Sequence, residues 1–172
     1  MNYTQDMNLL STSGYCMPFE EKDRDVQLTL RYGKQKHPKA GESFFHHGID
    51  FKTNNYFLAA VADGVVSGIG IDRKQYGLYV VIKYSKYEVT YSHMSNVFMQ
   101  FGQQVKAGLA VGVSSDLLHM EVKYDGEEID PVEFITMLYG NAKTWSEKGK
   151  AQPEFVAIDM DVHTDYDNDK DE

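Results

Sequence analysis

The segment Leu117-Leu118-His119-Met120-Glu121-Val122-Lys123-Tyr124 alternates with a period of two and stops at Asp125-Gly126. As a strand it puts Leu117, His119 and Glu121 on one face and Leu118, Met120 and Val122 on the other. That period lays no apolar stripe along a helix, so it commits this part of the chain to sheet. Similar runs surround it. Val26-Gln27-Leu28-Thr29-Leu30 alternates, and residues 78–84 and 87–93 are rich in β-branched and aromatic side chains, with Ser85-Lys86 as the turn between them. Residues 57–61 and 65–70, joined through Asp63-Gly64, carry a β-hairpin signal. Residues 104–113 continue the pattern. Residues 32–41, with Gly33, Pro38 and Gly41, read as a loop in which His37 bonds locally. Helical features are confined to residues 130–138: Asp130 can cap, Pro131 suits the first helical position, and Phe134, Ile135 and Leu138 share a side.

A chain of 172 residues with 42% hydrophobic content suffices for one domain with an ordinary core. Residues 1–20 are polar and patternless and read as a flexible arm. Residues 21–147 form the expected folded domain, and 148–172 read as an acidic, disordered tail with too little apolar content to fold alone. The formal net charge is −9, and eight acidic residues against one lysine place −7 of it between 154 and 172. The body is therefore nearly neutral and lacks the basic stripe of a nucleic-acid binder. Cys16 is the only cysteine, which excludes an intrachain disulfide and a four-cysteine zinc site. No apolar run reaches membrane-spanning length. The first residues lack the charged and apolar regions of a signal peptide, so classical export is not expected unless the chain has been trimmed. Asp159-Met160-Asp161 lacks the glycine of an EF-hand loop.

Chemistry concentrates in Phe45-His46-His47-Gly48-Ile49-Asp50-Phe51. His46 and Asp50, joined by the distant His119, supply two imidazoles and a carboxylate. That donor set suits zinc and leaves a fourth position open. Gly48 is expected to let the backbone turn so that His46 and Asp50 converge, with Phe45, Ile49 and Phe51 as apolar bulk fixing the loop. His–Asp spacing of this kind also occurs by chance, and the alternative makes His46 and His119 satisfied core histidines with no metal.

Taken together in order, residues from about 28 to 135 resemble the lysostaphin/LytM-type zinc endopeptidases, which cleave cross-bridges or stems of bacterial peptidoglycan. Tyr32-Gly33 to His37-Pro38 is similar to the family's aromatic-Gly loop ending in His-Pro. His46-His47-Gly48-Ile49-Asp50 matches its His-x-Gly-x-Asp motif, which puts the first ligand on His46 rather than His47. Ala62-Asp63-Gly64-Val65-Val66, Tyr91-Ser92-His93-Met94-Ser95 and residues 101–108 match further elements, and His119-Met120-Glu121-Val122 with Asp130-Pro131 matches the closing strand and its exit. The resemblance implies an all-β, antiparallel fold of two packed sheets, sandwich-like, with a groove over zinc held by His46, Asp50 and His119. It makes His93 the other site histidine. It also implies peptidoglycan or its peptides as partner and a cell-envelope or extracellular location.

The departures bear on activity. Where the family strand reads His-x-His-x-Glu, the first position here is Leu117, which cannot take a proton. The Gly- and Ser/Thr-rich loop before that strand, one wall of the groove, shrinks to Gly112-Val113-Ser114-Ser115-Asp116, and Gln35 stands where the family often has Arg. Two functions remain open. One is a zinc-dependent metalloendopeptidase acting on peptidoglycan peptides, weakened at position 117, with His93 as general acid/base or oxyanion donor. The other is a degenerate, catalytically inactive module that binds cell-wall material or a protein partner. A buried carboxylate–histidine site is costly to keep unused, which favours the hydrolase.

Overall fold

A computed structural model of the chain describes residues 1–20, 23, 25–37 and 39–150. The expectations for Pro38 and for the acidic tail beyond residue 150 lie outside the described residues. Within them the alternating runs become strands β1 (Gln27–Leu30), β2 (Gly33–Lys36), β3 (Ser43–His46), β4 (Ile49–Lys52), β5 (Phe57–Ala59) and β6 (Gly64–Asp72). These are followed by β7 (Gly77–Tyr84), β8 (Tyr87–Val97), β9 (Gln104–Val105), β10 (Ala110–Tyr124), β11 (Glu127–Ile129) and a helix, α1 (Pro131–Glu147). One nine-stranded antiparallel sheet runs β1-β4-β10-β8-β7-β6-β9, with β5 and β11 also paired to β10, while β2 and β3 form a separate two-stranded sheet. The expected antiparallel, mostly β fold with a C-terminal helix is the observed one.

β10 is the hub because its 15 residues pair with β4, β5, β8 and β11. Its period of two works as read. Leu118, Met120 and Val122 are fully buried beside Val89 and Tyr91 of β8 and Val80, Ile82 and Tyr84 of β7. Each such side chain stabilises the fold by about 1.5–3 kcal/mol. α1 covers this face, with the Phe134 ring 4.8 Å from Tyr87 and 6.4 Å from Tyr84. Its start follows from the Asp130-Pro131 pair: the Val132 amide donates to Asp130 Oδ1 at 2.9 Å, and Pro131 occupies the first turn. Ser85 (φ 55°) and the pair Asp125 (φ 50°) and Gly126 (φ 85°) make the tight turns after β7 and β10 where the sequence puts them.

Four expectations are corrected. Residues 32–41 are not simply a loop: β2 pairs with β3 from Gly33↔His46 to Lys36↔Ser43. This hairpin lies off the main core and carries polar Lys34-Gln35-Lys36, so no apolar period marks it. At its tip His37 does bond locally, its Nδ1 accepting from the amides of Lys39 and Ala40 at 3.3 and 3.1 Å. Residues 57–70 are not a hairpin, because β5 pairs with β10 and β6 pairs with β7 and β9. Residues 112–116 are not a loop either. Gly112 and Val113 pair with both β8 and β5, and the carbonyls of Ser115 and Asp116 accept from the amides of Asn55 and Thr53 at 3.1 and 3.0 Å. Finally, residues 1–20 are not a free arm. Met7, Leu9 and Tyr15 are buried in the core, the Tyr87 hydroxyl donates to the Met7 carbonyl at 2.7 Å, and the Thr12 amide and hydroxyl both donate to Asp63. The arm packs through separate anchors with no internal repeat, which is why it reads as patternless.

Candidate functional site

His46 ends β3 and Ile49 begins β4, so His47-Gly48 is the corner where the chain passes from the small sheet to the large one. Register then places Asp50 directly opposite His119, since β4 pairs with β10 as Asp50↔His119 and Ile49↔Met120. Gly48 is needed here, for a reason other than the one expected. It lies outside the left-handed region, but a Cβ there would strike the Met120 carbonyl and come within 2.8 Å of His119 Cε1. The corner is pressed against β10, and only glycine fits. Of the flanking apolar residues, Ile49 is fully buried and Phe51 packs on the core, whereas Phe45 is exposed.

Asp50 Oδ1 lies 2.6 Å from His119 Nδ1 and 3.4 Å from His46 Nε2. One ligand atom from each of His46, Asp50 and His119 falls within 4.8 Å of the others. The outward nitrogens are already engaged. His46 Nδ1 donates to the Arg31 carbonyl at 2.9 Å, and a carbonyl only accepts, so that nitrogen carries the proton and Nε2 faces inward with its lone pair. His119 Nε2 faces the Glu121 carboxylate at 3.1 Å. This is the arrangement in which an outer acceptor fixes the tautomer of a metal-ligating histidine. Converging lone pairs repel one another unless a cation lies among them, either a proton on His119 or a metal ion. Burial alone would lower the His119 pKa, but its hydrogen bonds to Asp50 and Glu121 outweigh this and push it up to about 9. Two imidazoles and one carboxylate, each outer nitrogen satisfied, fit a divalent zinc ion.

The other sequence candidates separate cleanly. His47 turns away from the centre and sits 3.0 Å from both carboxylate oxygens of Glu128, which also accepts from the Tyr32 hydroxyl at 2.7 Å. His93 is brought to the site by a bulge. β8 pairs Ser92 with His119 and Met94 with Ser114, so His93 falls in the register shift and adopts φ 59°. Bulges re-aim a side chain, and left-handed backbone at a non-glycine residue collects at functional sites. The His93 ring stands edge-on to His119 with centroids 6.4 Å apart. Its burial and the nearby His119 hold its pKa below the ordinary range. Leu117 lies one step along β10 from the buried row, opposite Lys52, with no polar group to offer.

One participant left no signal in the sequence. Tyr76, in the turn between β6 and β7, donates from its hydroxyl to Glu121 Oε1 and Oε2 at 3.2 and 3.3 Å. Its ring stacks on His119 at 6.2 Å with the planes 27° apart, and its carbonyl accepts the His93 amide at 2.8 Å. Burial and the Glu121 charge raise its pKa, so it stays a donor. A pocket of about 270 Å³ opens beside it, lined in part by Asp72, Tyr79, Glu88 and Glu121.

The sequence profile of peptidase family M23 matches residues 44–131, just over half of the chain, and spans His46, Asp50, Tyr76, His93, His119 and Glu121. The chain belongs to peptidase family M23. It is 31% identical over 96 residues to the murein hydrolase activator NlpD of Escherichia coli, covering 51% of this chain and 25% of that protein. It is similar to a zinc containing peptidase from Vibrio cholerae, with a TM-score of 0.59 and 25% identity over 68% of this chain and 39% of that one. The catalytic domain of lysostaphin from Staphylococcus simulans shares the fold, with a TM-score of 0.58 and 20% identity over 69% of this chain and 98% of that one. The chain spans about a quarter of the length of the curated relatives it matches.

Proposed function

We propose that this M23 domain is a zinc-dependent endopeptidase acting on peptides of bacterial peptidoglycan in the cell envelope, with His46, Asp50 and His119 as the metal ligands. The observation that supports this reading is the placement of the ring nitrogens. The Arg31 carbonyl accepts from His46 Nδ1 and the Glu121 carboxylate stands 3.1 Å from His119 Nε2, while His46 Nε2 and His119 Nδ1 converge on Asp50 Oδ1. A zinc ion held there supplies Lewis acidity, which lowers the pKa of water and polarises a carbonyl. The chain's own residues divide the remaining work. His93, whose pKa burial and the neighbouring His119 lower, is the group that would accept a proton from an attacking water and return it to the leaving amine. The Asp50 carboxylate offsets the ion's charge, and Glu121 keeps the His119 ring oriented.

A second reading is favoured by Leu117 and by the likeness to a protein named a murein hydrolase activator. In it the domain binds cell-wall material or a protein partner and does not cleave. Among the described residues no helix is long and apolar enough to cross a membrane, which accords with either reading.

Metal analysis after dialysis, followed by turnover on peptidoglycan, separates the two. The native chain should carry about one zinc, and Asp50→Ala should carry much less. Turnover should vanish in His93→Ala and rise at least about tenfold in Leu117→His, which restores an acid/base group beside His119. Zinc bound with no turnover in either the native chain or Leu117→His ends the endopeptidase reading, and pull-down of peptidoglycan by that inactive protein supports the binding module. No zinc, or equal zinc in Asp50→Ala, overturns the metal reading itself.

A further inference from the structure

We propose that Tyr76 is a positioning residue for the metal centre, its phenol holding the Glu121 carboxylate so that His119 presents Nδ1 rather than Nε2 to the ion. The inference rests on the zinc reading above and assigns a role to a residue 45 positions from Glu121.

Once the His119 imidazolium gives up one proton, as metal binding requires, it has a single N–H for which two carboxylates compete. Asp50 Oδ1 stands 2.6 Å from Nδ1, and Glu121 Oε1 stands 3.1 Å from Nε2. If Asp50 wins, the proton sits on Nδ1 and blocks the nitrogen that faces His46. If Glu121 wins, Nδ1 offers its lone pair and the three donors are complete. Distance alone favours Asp50. Glu121 is only partly buried on a strand face, and its side chain has rotamers that leave His119 altogether. Tyr76 opposes this. Its hydroxyl reaches both oxygens of Glu121, and its ring stands beside His119 with centroids 6.2 Å apart and planes 27° apart. Its main-chain carbonyl at the same time holds the His93 amide in the β8 bulge, so one turn residue braces both histidines. Tyr76→Phe keeps the ring and the carbonyl and removes only the hydroxyl.

Zinc affinity, measured by competition with a chromophoric chelator, tests the role without recourse to activity. Tyr76→Phe should bind zinc about tenfold more weakly than the native chain, the lower end for loss of an outer-shell partner. The metal-free variant should stay folded under the assay conditions, with any fall in its midpoint too small to account for the lost affinity. Glu121→Gln should weaken zinc binding on its own, and adding Tyr76→Phe to it should bring no further loss, because the phenol acts through that carboxylate. Native zinc affinity in Tyr76→Phe overturns the proposal, as do losses that add in the double variant. A lowered metal-free midpoint that accounts for the lost affinity assigns Tyr76 a structural role and overturns it too. A native chain that binds no zinc overturns this inference together with the reading beneath it, whereas native binding with an unchanged Tyr76→Phe overturns this inference alone.

Discussion

Metal-free protein should lose stability as the pH rises from 6.5 to 8.5, and added zinc should reverse the trend. The perturbed group is His119, whose imidazolium gains Asp50 and Glu121 on folding and titrates near 9, against about 6.5 in an unfolded chain. The folded pKa is raised, so the protonated form's contribution is complete below 6.5 and is lost as the pH climbs through 9. At about 1.4 kcal/mol per unit, the whole effect is on the order of 3 kcal/mol, of which about 2 kcal/mol falls between pH 6.5 and 8.5. That corresponds to a fall of roughly 4–8 °C in Tm for a domain of this size. The window avoids two other groups. His93, with its pKa lowered, acts in the opposite sense below 6.5, and the Cys16 thiol, which burial pushes up to about 11, adds a loss of the same sign only at higher pH. Zinc held at the proposed site would take the place of the Nδ1 proton, so its stabilisation should grow with pH and reach about 4 kcal/mol at a free concentration 1,000 times Kd. Calorimetry of chelator-treated protein at several pH values, with and without zinc, measures both slopes. Asp50→Asn should flatten the metal-free slope. A flat metal-free profile, or the same slope in Asp50→Asn, refutes the coupling of these two residues.

Two substitutions probe the packing that builds the site. Gly48→Ala drives a Cβ into the Met120 carbonyl and the His119 ring. It should cost about 1–3 kcal/mol and strip the bound zinc, and an unchanged urea midpoint with full metal content contradicts the close approach. Leu9→Ala removes a fully buried anchor of the N-terminal segment. A loss of about 2–5 kcal/mol by urea denaturation is expected, and a native midpoint means that the segment does not pack on the core.

Local periodicity decided much of this protein. The alternation from Leu117 to Tyr124 put His119 and Glu121 on one face and Leu118, Met120 and Val122 in the core, and the structure keeps that division. Asp130-Pro131 started the helix, and Ser85 and Asp125-Gly126 turned the chain where turn chemistry allows φ above zero. The ordered motifs around His46, Asp50, His93 and His119 were legible as a set. Partner choice was not, because a strand pattern states its period and not which strand it will face. Residues 57–61 and 65–70 therefore read as one hairpin, though each found a different neighbour. The hairpin of β2 and β3 lies off the main core and shows no apolar alternation, and the N-terminal segment is held by single side chains reaching separate places. Tyr76 is the sharpest case. Nothing in its neighbourhood along the chain marks it, and only the pairing of β7 with β8 and β8 with β10 carries its turn over to Glu121 and His119. Contacts made across tens of residues depend on which surfaces are buried together, and that is settled only when the sheet closes around its core.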